Sequence, residues 1–281
     1  MLPRRRPIAR ATAPASWRSS WTLLRSANVH RPSEHPVPKK VRASLPPEEH
    51  LARAISAPTA TLRARHARLG LATRAPLDRT THAMLLRQLY MAHFESGRFK
   101  KAREVALQTI ELRVMVDVAH QDAARAALAL GLPDEAIGQL RLAARRSPAT
   151  RRAFHLWTLG SALFLEARHR EAVGCFDRAA RWGTSDKPLY EAYAALARLE
   201  AGETDADAAA RYRALGKVPG GQGIGRFVLG RLAFHLRQWE DARKHLESFV
   251  KRTGEGRAGL ITSLAGEVAI ARSTLAQLRT N

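Results

Sequence analysis

Apolar residues recur three and four positions apart over most of the chain, from about residue 80 to residue 255. Leu85 and Leu89 in one segment, and Val228 and Leu232 in another, are typical. This spacing places apolar side chains on one face of an α-helix, whereas a half-buried strand would show alternation. The sequence therefore predicts an all-α fold.

A second pattern is superimposed on the helical spacing: a small residue followed four positions later by a large apolar one. It returns at intervals of 34, 36, 36 and 34 residues, which indicates a series of similar units. A small residue allows two antiparallel helices to approach closely, and stacking of the units buries the remaining apolar faces. The small residues are Ala102, Ala136, Ala172, Ala208 and Ala242, and the large ones are Leu140, Phe176, Tyr212 and Leu246, with only Ala106 in the first unit.

The third unit is the clearest copy, with Leu156, Leu159, Gly160, Leu163, Ala172, Phe176 and Ala179. It resembles the tetratricopeptide repeat (TPR), in which W-x2-L-G-x2-Y is followed by A-x3-F. None of the units has the tryptophan of that pattern. The resemblance covers about residues 80 to 255 and implies a right-handed α-α superhelix, that is, a TPR-like solenoid of about five helix pairs. It does not specify a function.

Three segments of the chain differ in composition. Residues 1–45 are rich in Arg, Pro, Ser and Ala, which predicts a basic, disordered tail. Residues 46–75 predict a short helical N-terminal extension of one or two helices, separated at Pro58. Residues 76–281 are the predicted TPR-like repeat domain.

The end of the repeat domain predicts a capping helix at residues 258–279. Its apolar stripe includes Leu260, Leu264, Val268, Ala271, Leu275 and Leu278, and Thr262, Glu267, Arg272 and Gln277 lie elsewhere on the helix. A last helix with one polar face keeps the open end of a helical stack soluble.

The chain is strongly basic, with a formal net charge of +22, and residues 1–75 hold 15 Lys and Arg against 3 Asp and Glu. Arg accounts for 39 of the 47 basic residues; either genome composition or bidentate contacts to phosphate and carboxylate explain such a bias. We expect association with polyanions at low salt and release as salt rises. Five arginines around the turn between the second and third units form either a solvated outer face or a docking patch for an acidic partner or a nucleic-acid backbone: Arg141, Arg145, Arg146, Arg151 and Arg152.

The TPR resemblance implies peptide binding on a concave surface lined by the first helix of each unit. Several aromatic residues fall there, and we interpret Trp157, Tyr190 and Tyr193 as its main contacts, because the core register does not call for aromatic side chains at these positions. An aromatic groove edged with Arg suits an apolar or amphipathic segment with acidic flanks. The candidate groove residues are Phe154, Trp157, Ser161, Tyr190, Tyr193, Phe227, Arg231, Arg87, Met91 and Arg125.

Signals for catalysis are absent or poor. The Gly-rich run at residues 220–225 lacks the Lys-Ser/Thr of a P-loop and predicts an inter-repeat linker. The histidines are scattered, without an HExxH motif, and the single cysteine, Cys175, cannot form an internal disulfide. We therefore expect neither an enzyme nor a cofactor or metal site.

The sequence thus predicts a non-enzymatic adaptor or scaffold that binds a protein partner in the groove. The alternative is a nucleic-acid-associated protein that uses the Arg-rich tail and surface. We expect a cytoplasmic protein without a transmembrane segment, or an organellar one if residues 1–33 are a transit peptide. Trp17, Trp21 and Leu24 lie on one face of a hypothetical basic amphipathic helix that docks on a partner, on a membrane surface or in the chain's own groove.

Overall fold

The computed structural model describes residues 45–74, 76–218 and 223–280. Within these ranges the chain forms 14 helices and no strand, which confirms the predicted all-α fold. The helices are α1 (Pro47–Ser56), α2 (Ala60–Leu71), α3 (Arg79–Glu95), α4 (Phe99–Glu111), α5 (Val116–Ala129), α6 (Pro133–Arg146), α7 (Ala149–Leu165), α8 (His169–Trp182), α9 (Lys187–Glu200), α10 (Ala208–Gly216), α11 (Ile224–His235), α12 (Trp239–Gly254), α13 (Ala258–Ser263) and α14 (Ala265–Thr280).

The N-terminal extension consists of α1 and α2, which pack against each other and against α3. Ala57 ends α1 in an extended conformation, as expected for a residue that precedes proline. The Thr59 side chain then caps α2 by accepting a hydrogen bond from the Leu62 amide at 3.2 Å. The tail around Trp17 and Trp21, the possible transit peptide, and residues 219–222 of the Gly-rich run lie outside the described residues.

From α3 to α12 each helix packs against the next one in the chain. The alanines of the recurring pattern are at most 2% exposed, because they sit where two helices come closest. A Cβ added at Gly160 would lie 2.6 Å from the Phe176 ring, and one at Gly230 would lie 2.5 Å from Leu246. The small residue of one helix therefore makes room for the large residue of the next.

The turn inside each of these five helix pairs contains one residue with a left-handed backbone. The φ angles are 68°, 71°, 55°, 76° and 59° for Gly97, Gly131, Ala167, Gly202 and Arg237. Glycine adopts this conformation without the steric cost that a Cβ imposes. The third and fifth turns therefore carry a cost that the other three avoid.

Replacing Arg237 by Gly is expected to stabilise the chain by about 0.5–1 kcal/mol, because removal of the Cβ relieves the steric cost of the left-handed turn. This corresponds to a rise in melting temperature of about 1–3 °C. Differential scanning calorimetry measures the change. The matched control is Arg257→Gly, since Arg257 is exposed and has an ordinary φ of −67°; the same substitution there should not stabilise, and an equal gain at both sites would contradict the explanation.

Many arginines link one helix pair to the next. The partners are separated by 30 to 35 residues, about one interval of the sequence pattern. Arg103 binds Glu135 with two hydrogen bonds of 2.7 and 3.0 Å, and Arg87 donates to Asp122 at 3.1 Å. Part of the Arg content therefore serves contacts between neighbouring pairs.

The C-terminal region differs from its prediction as one capping helix. It forms two helices, α13 and α14, which are interrupted at Leu264. The interruption has a structural role, because α13 reaches α3 and α5 as well as α12, whereas α14 packs on α11 and α12. The region is therefore more than a cover for the last helix pair.

Candidate binding face

The C-terminal segment, residues 258–280, touches or lies close to the first helix of all five pairs, and the contacts follow the order of both sequences. Gly259 lies against Phe94 of α3. The remaining contacts are Ser263 with Arg125 of α5, Gly266 with Leu165 of α7, and Thr274 with Arg231 of α11. Glu267 lies near enough to Tyr193 of α9 to raise the pKa of its hydroxyl. We call the surface of α3, α5, α7, α9 and α11 that faces this segment the first-helix face.

The closest approach between the segment and this face is at Gly266. A Cβ there would lie 2.9 Å from Cδ2 of Leu165, so a larger residue requires the Leu165 side chain to move. A Cβ at Gly259 would lie 3.6 Å from the Phe94 ring, which is an ordinary contact. In contrast, Gly138 on α6 has no neighbouring atom within 4 Å of an added Cβ.

Arg125 lies on the first-helix face and has no carboxylate within ion-pair distance among the described residues. Its guanidinium lies over the Phe94 ring, 4.8 Å from the centroid. It donates one hydrogen bond of 3.1 Å to the Ser263 hydroxyl. An Arg in this position is available to an acidic ligand.

Arg231, at the other end of the face, is already neutralised. It donates to Glu200, and it also donates to the Thr274 hydroxyl at 2.6 Å. Burial raises the pKa of Glu200, but hydrogen bonds from His235 and Arg231 outweigh it and lower the pKa to about 2. This group joins α9, α11 and α14.

Two buried polar atoms of this region, Trp157 Nε1 and Glu267 Oε2, have no hydrogen-bond partner among the described residues. The Tyr193 and Ser161 hydroxyls lie together, and a hydrogen bond between them favours the ionised form of Tyr193. Glu267 is only 5% exposed, although its position off the apolar stripe predicts a solvated residue. Burial raises the pKa of Glu267 to about 7, and burial together with the nearby Glu267 raises that of Tyr193.

The predicted groove aromatics are mostly core residues. Tyr193, Phe227, Tyr190 and Trp157 are 1%, 0%, 3% and 8% exposed. The expectation that the core register needs no aromatic side chains there is wrong. The Tyr193 ring stacks on Phe176 with centroids 4.8 Å apart, so it fills the space between two helices. These four rings are not available to a peptide in this structure.

The other predicted groove residues are divided between ion pairs, contacts with the core and the rim. Arg231 is buried and paired, and Arg87 pairs with Asp122. Met91 packs half-buried on the cluster of Leu86, Tyr90 and Phe94. Phe154, Ser161 and Arg125 keep part of their surface exposed.

The five arginines of the predicted basic patch do not form a continuous free surface. Arg141 pairs with Glu171 at 3.1 Å and Arg151 with Asp117 at 2.7 Å. Arg152 lies over the Trp182 ring, 4.6 Å from the centroid. Arg145 and Arg146 are exposed and have no ion pair among the described residues.

A buried acid that the sequence interpretation did not single out connects the second and third helix pairs. Asp117 accepts two hydrogen bonds from Arg151, at 2.7 and 3.0 Å, and one contact of 3.0 Å joins it to His155 Nε2. The other ring nitrogen of His155 contacts Gln121 Oε1 at 3.2 Å. The signal in the sequence is the 34-residue separation of Asp117 and Arg151, which equals one unit.

No group of three or more His, Cys, Asp and Glu residues in the described ranges is arranged to hold a metal ion. None of the described helices combines the length and apolar character that a membrane span requires. No protein-family model matches the chain, and no curated protein is similar to it in sequence.

Proposed function

We propose that this chain is a non-enzymatic adaptor of the TPR-like class. Its helix pairs wind into a right-handed superhelix, and the concave surface is the first-helix face. The ligand is an amphipathic helix of a protein partner with acidic flanks, bound in a reducing compartment such as the cytoplasm.

The observation that carries this proposal is the seating of a helix on the first-helix face. The chain's own residues 258–280 lie there, in contact with four of the five first helices and with Glu267 near Tyr193 of the other one, α9. A face that accepts one helix has the shape and the spacing of side chains that another helix requires. Arg125 adds a preference for acidic ligands, since no carboxylate pairs with it among the described residues.

The structure changes the choice of residues for a binding test. Trp157→Ala with Tyr193→Ala would remove two core rings, so loss of binding would report unfolding. Arg125→Ala with Phe154→Ala removes side chains from the rim instead, because both residues are partly exposed. Arg145→Ala with Arg146→Ala is the matched control on another surface.

The test is affinity capture by the full chain and both double variants, followed by titration of the identified partner's purified segment. A partner whose affinity falls at least about tenfold, about 1.4 kcal/mol, with Arg125→Ala and Phe154→Ala, but not with the control, supports the adaptor. Equal binding to all three chains contradicts the use of the first-helix face.

The second candidate is a polyanion-binding protein. It is favoured by the net charge of +22 and by the exposed, unpaired Arg145 and Arg146. In this case nucleic acid binds with a steep salt dependence, and binding weakens with Arg145→Ala and Arg146→Ala while the rim variant binds normally. The same three chains therefore separate the two functions.

A further inference from the structure

We propose that residues 258–280 act as an internal ligand of the first-helix face, which the helix of a partner displaces. The partner helix carries a small residue at the position of Gly266 and a carboxylate, facing Arg125, at the position of Ser263. This inference deepens the proposed adaptor function and rests on it.

The first argument is that most apolar side chains of the segment are only partly covered. None of the residues of α13 is buried. In α14 the buried side chains are those of Glu267, Ala271, Thr274 and Leu278, of which two are polar. Leu264, Val268, Ile270 and Leu275 also pack on the core, but they are only partly buried. Apolar burial drives most helix docking in water, so the segment docks less firmly than a fully buried helix of the same length.

The second argument is that docking leaves polar groups unpaired. The indole N–H of Trp157 finds no acceptor among the described residues, and Glu267 Oε2 finds no donor. An unpaired polar atom that is removed from water weakens the docked state. A helix without a buried carboxylate at the position of Glu267 therefore has an advantage over the internal segment.

The third argument concerns Arg125. The internal segment offers it only the neutral Ser263 hydroxyl, at 3.1 Å. A hydrogen bond between a guanidinium and a carboxylate is stronger than one to a neutral acceptor. The partner that fits this face better than the chain itself is therefore an acidic helix, which also suits the net charge of +22.

The probe for testing the proposal is a labelled synthetic peptide with the sequence of residues 258–280. Its binding to three full chains is measured by fluorescence anisotropy: wild type, Gly266→Leu and Gly138→Leu. In the wild-type chain the covalently attached segment competes at an effective concentration on the order of millimolar. Leu at position 266 clashes with Leu165, whereas Leu at position 138 meets open space.

We expect the peptide to bind Gly266→Leu at least about tenfold more tightly than wild type or Gly138→Leu, given the large effective concentration of the attached segment. Hydrogen exchange should show residues 258–280 of Gly266→Leu unprotected while α3 to α12 stay protected. Equal affinity for the three chains overturns the proposal. Continued protection of the segment in Gly266→Leu also overturns it, because the segment is then part of the core.

A second variant changes affinity in the opposite direction without adding bulk. Glu267→Gln replaces the buried carboxylate by a neutral amide and so holds the internal segment more tightly. Peptide binding to this full chain should be about threefold or more weaker than to wild type. Unchanged or stronger peptide binding contradicts the internal-ligand model.

The carboxylate preference is tested with a Ser263→Glu peptide. Against the Gly266→Leu chain it should bind about fivefold more tightly than the unmodified peptide, and Arg125→Ala in that chain should remove the gain. A gain that persists without Arg125 overturns this assignment. Since the probe copies the chain's own segment, failure here is distinct from failure of the adaptor function, which depends on capture of a partner.

Discussion

Tyr193→Ala is expected to lower the free energy of unfolding by about 3–5 kcal/mol, as is typical for removal of a large buried aromatic ring. The ring is 1% exposed. It stacks on Phe176 at 4.8 Å between centroids and meets Trp157 and Phe164 edge-on at 6.3 Å. Because α14 covers the remaining side, truncation leaves a cavity that three helices border. Urea denaturation followed by circular dichroism measures the loss.

Tyr193→Phe is the matched control for this prediction. It keeps the ring and removes only the hydroxyl, which lies beside that of Ser161. Stability should fall by no more than about 1.5 kcal/mol, because at most one neutral hydrogen bond is lost. If the Tyr193→Ala chain stays stable and loses only partner binding, Tyr193 is a residue of an exposed groove. That result would contradict its place in the core.

Asp117→Ala is the second large effect, and we expect it to cost about 3 kcal/mol of stability, because it removes one partner of a buried charged group. Arg151 loses both of its hydrogen bonds, and His155 Nε2 loses its 3.0 Å contact inside the protein. Thermal unfolding of the variant measures the cost. The control is Glu171→Ala, which breaks the exposed Arg141 pair and should change stability by less than about 1 kcal/mol.

Asp117, with its partners Arg151 and His155, also determines how folding stability changes with pH. Burial raises the pKa of Asp117, but hydrogen bonds from His155 and Arg151 more than compensate and hold it well below the ordinary 3.8. A lowered pKa in the folded state stabilises the protein above the ordinary value, and this contribution is lost as the pH falls below it. The stability difference between wild type and Asp117→Ala should therefore shrink below about pH 4; a constant difference down to pH 2 would contradict the role of the ionised carboxylate.

The helix pairs were predictable from the sequence because their determinant is local. Gly160 and Phe176 belong to adjacent helices, and the same size complementarity recurs between Gly230 and Leu246. The break at Pro58 was equally readable, because proline limits the residue before it. The spacing of apolar residues that predicts a helix is visible in a segment of only about two helical turns.

The binding face was not predictable in the same way. Tyr193 on α9 and Glu267 on α14 lie near each other although more than 70 residues separate them. The burial of each therefore depends on a helix that is distant in the sequence. A single sequence shows which helix face is apolar, but it does not show which distant helix will cover a mixed face. Gly266 was the available signal, and it has meaning only once Leu165 is opposite it.

The excess of Arg was misleading for a related reason. Seen along the sequence, Arg141 and Arg151 belong to one basic cluster. In the folded chain each pairs with an acid from a neighbouring helix pair, Glu171 or Asp117. These ion pairs become visible in the sequence only when residues about one unit apart are compared. The net charge of a local segment does not show them.

The position of the C-terminal segment also affects folding during synthesis on the ribosome. Helical repeats contact mainly their neighbours, so each pair can form soon after it is synthesised. Here the hydrogen bond between Arg125 and Ser263 spans 138 residues, and it forms only after the last part of the chain has emerged. Until then, the nascent helix pairs present an uncovered first-helix face, and this interval is the time at which a chaperone or a co-translationally assembling partner has free access to it.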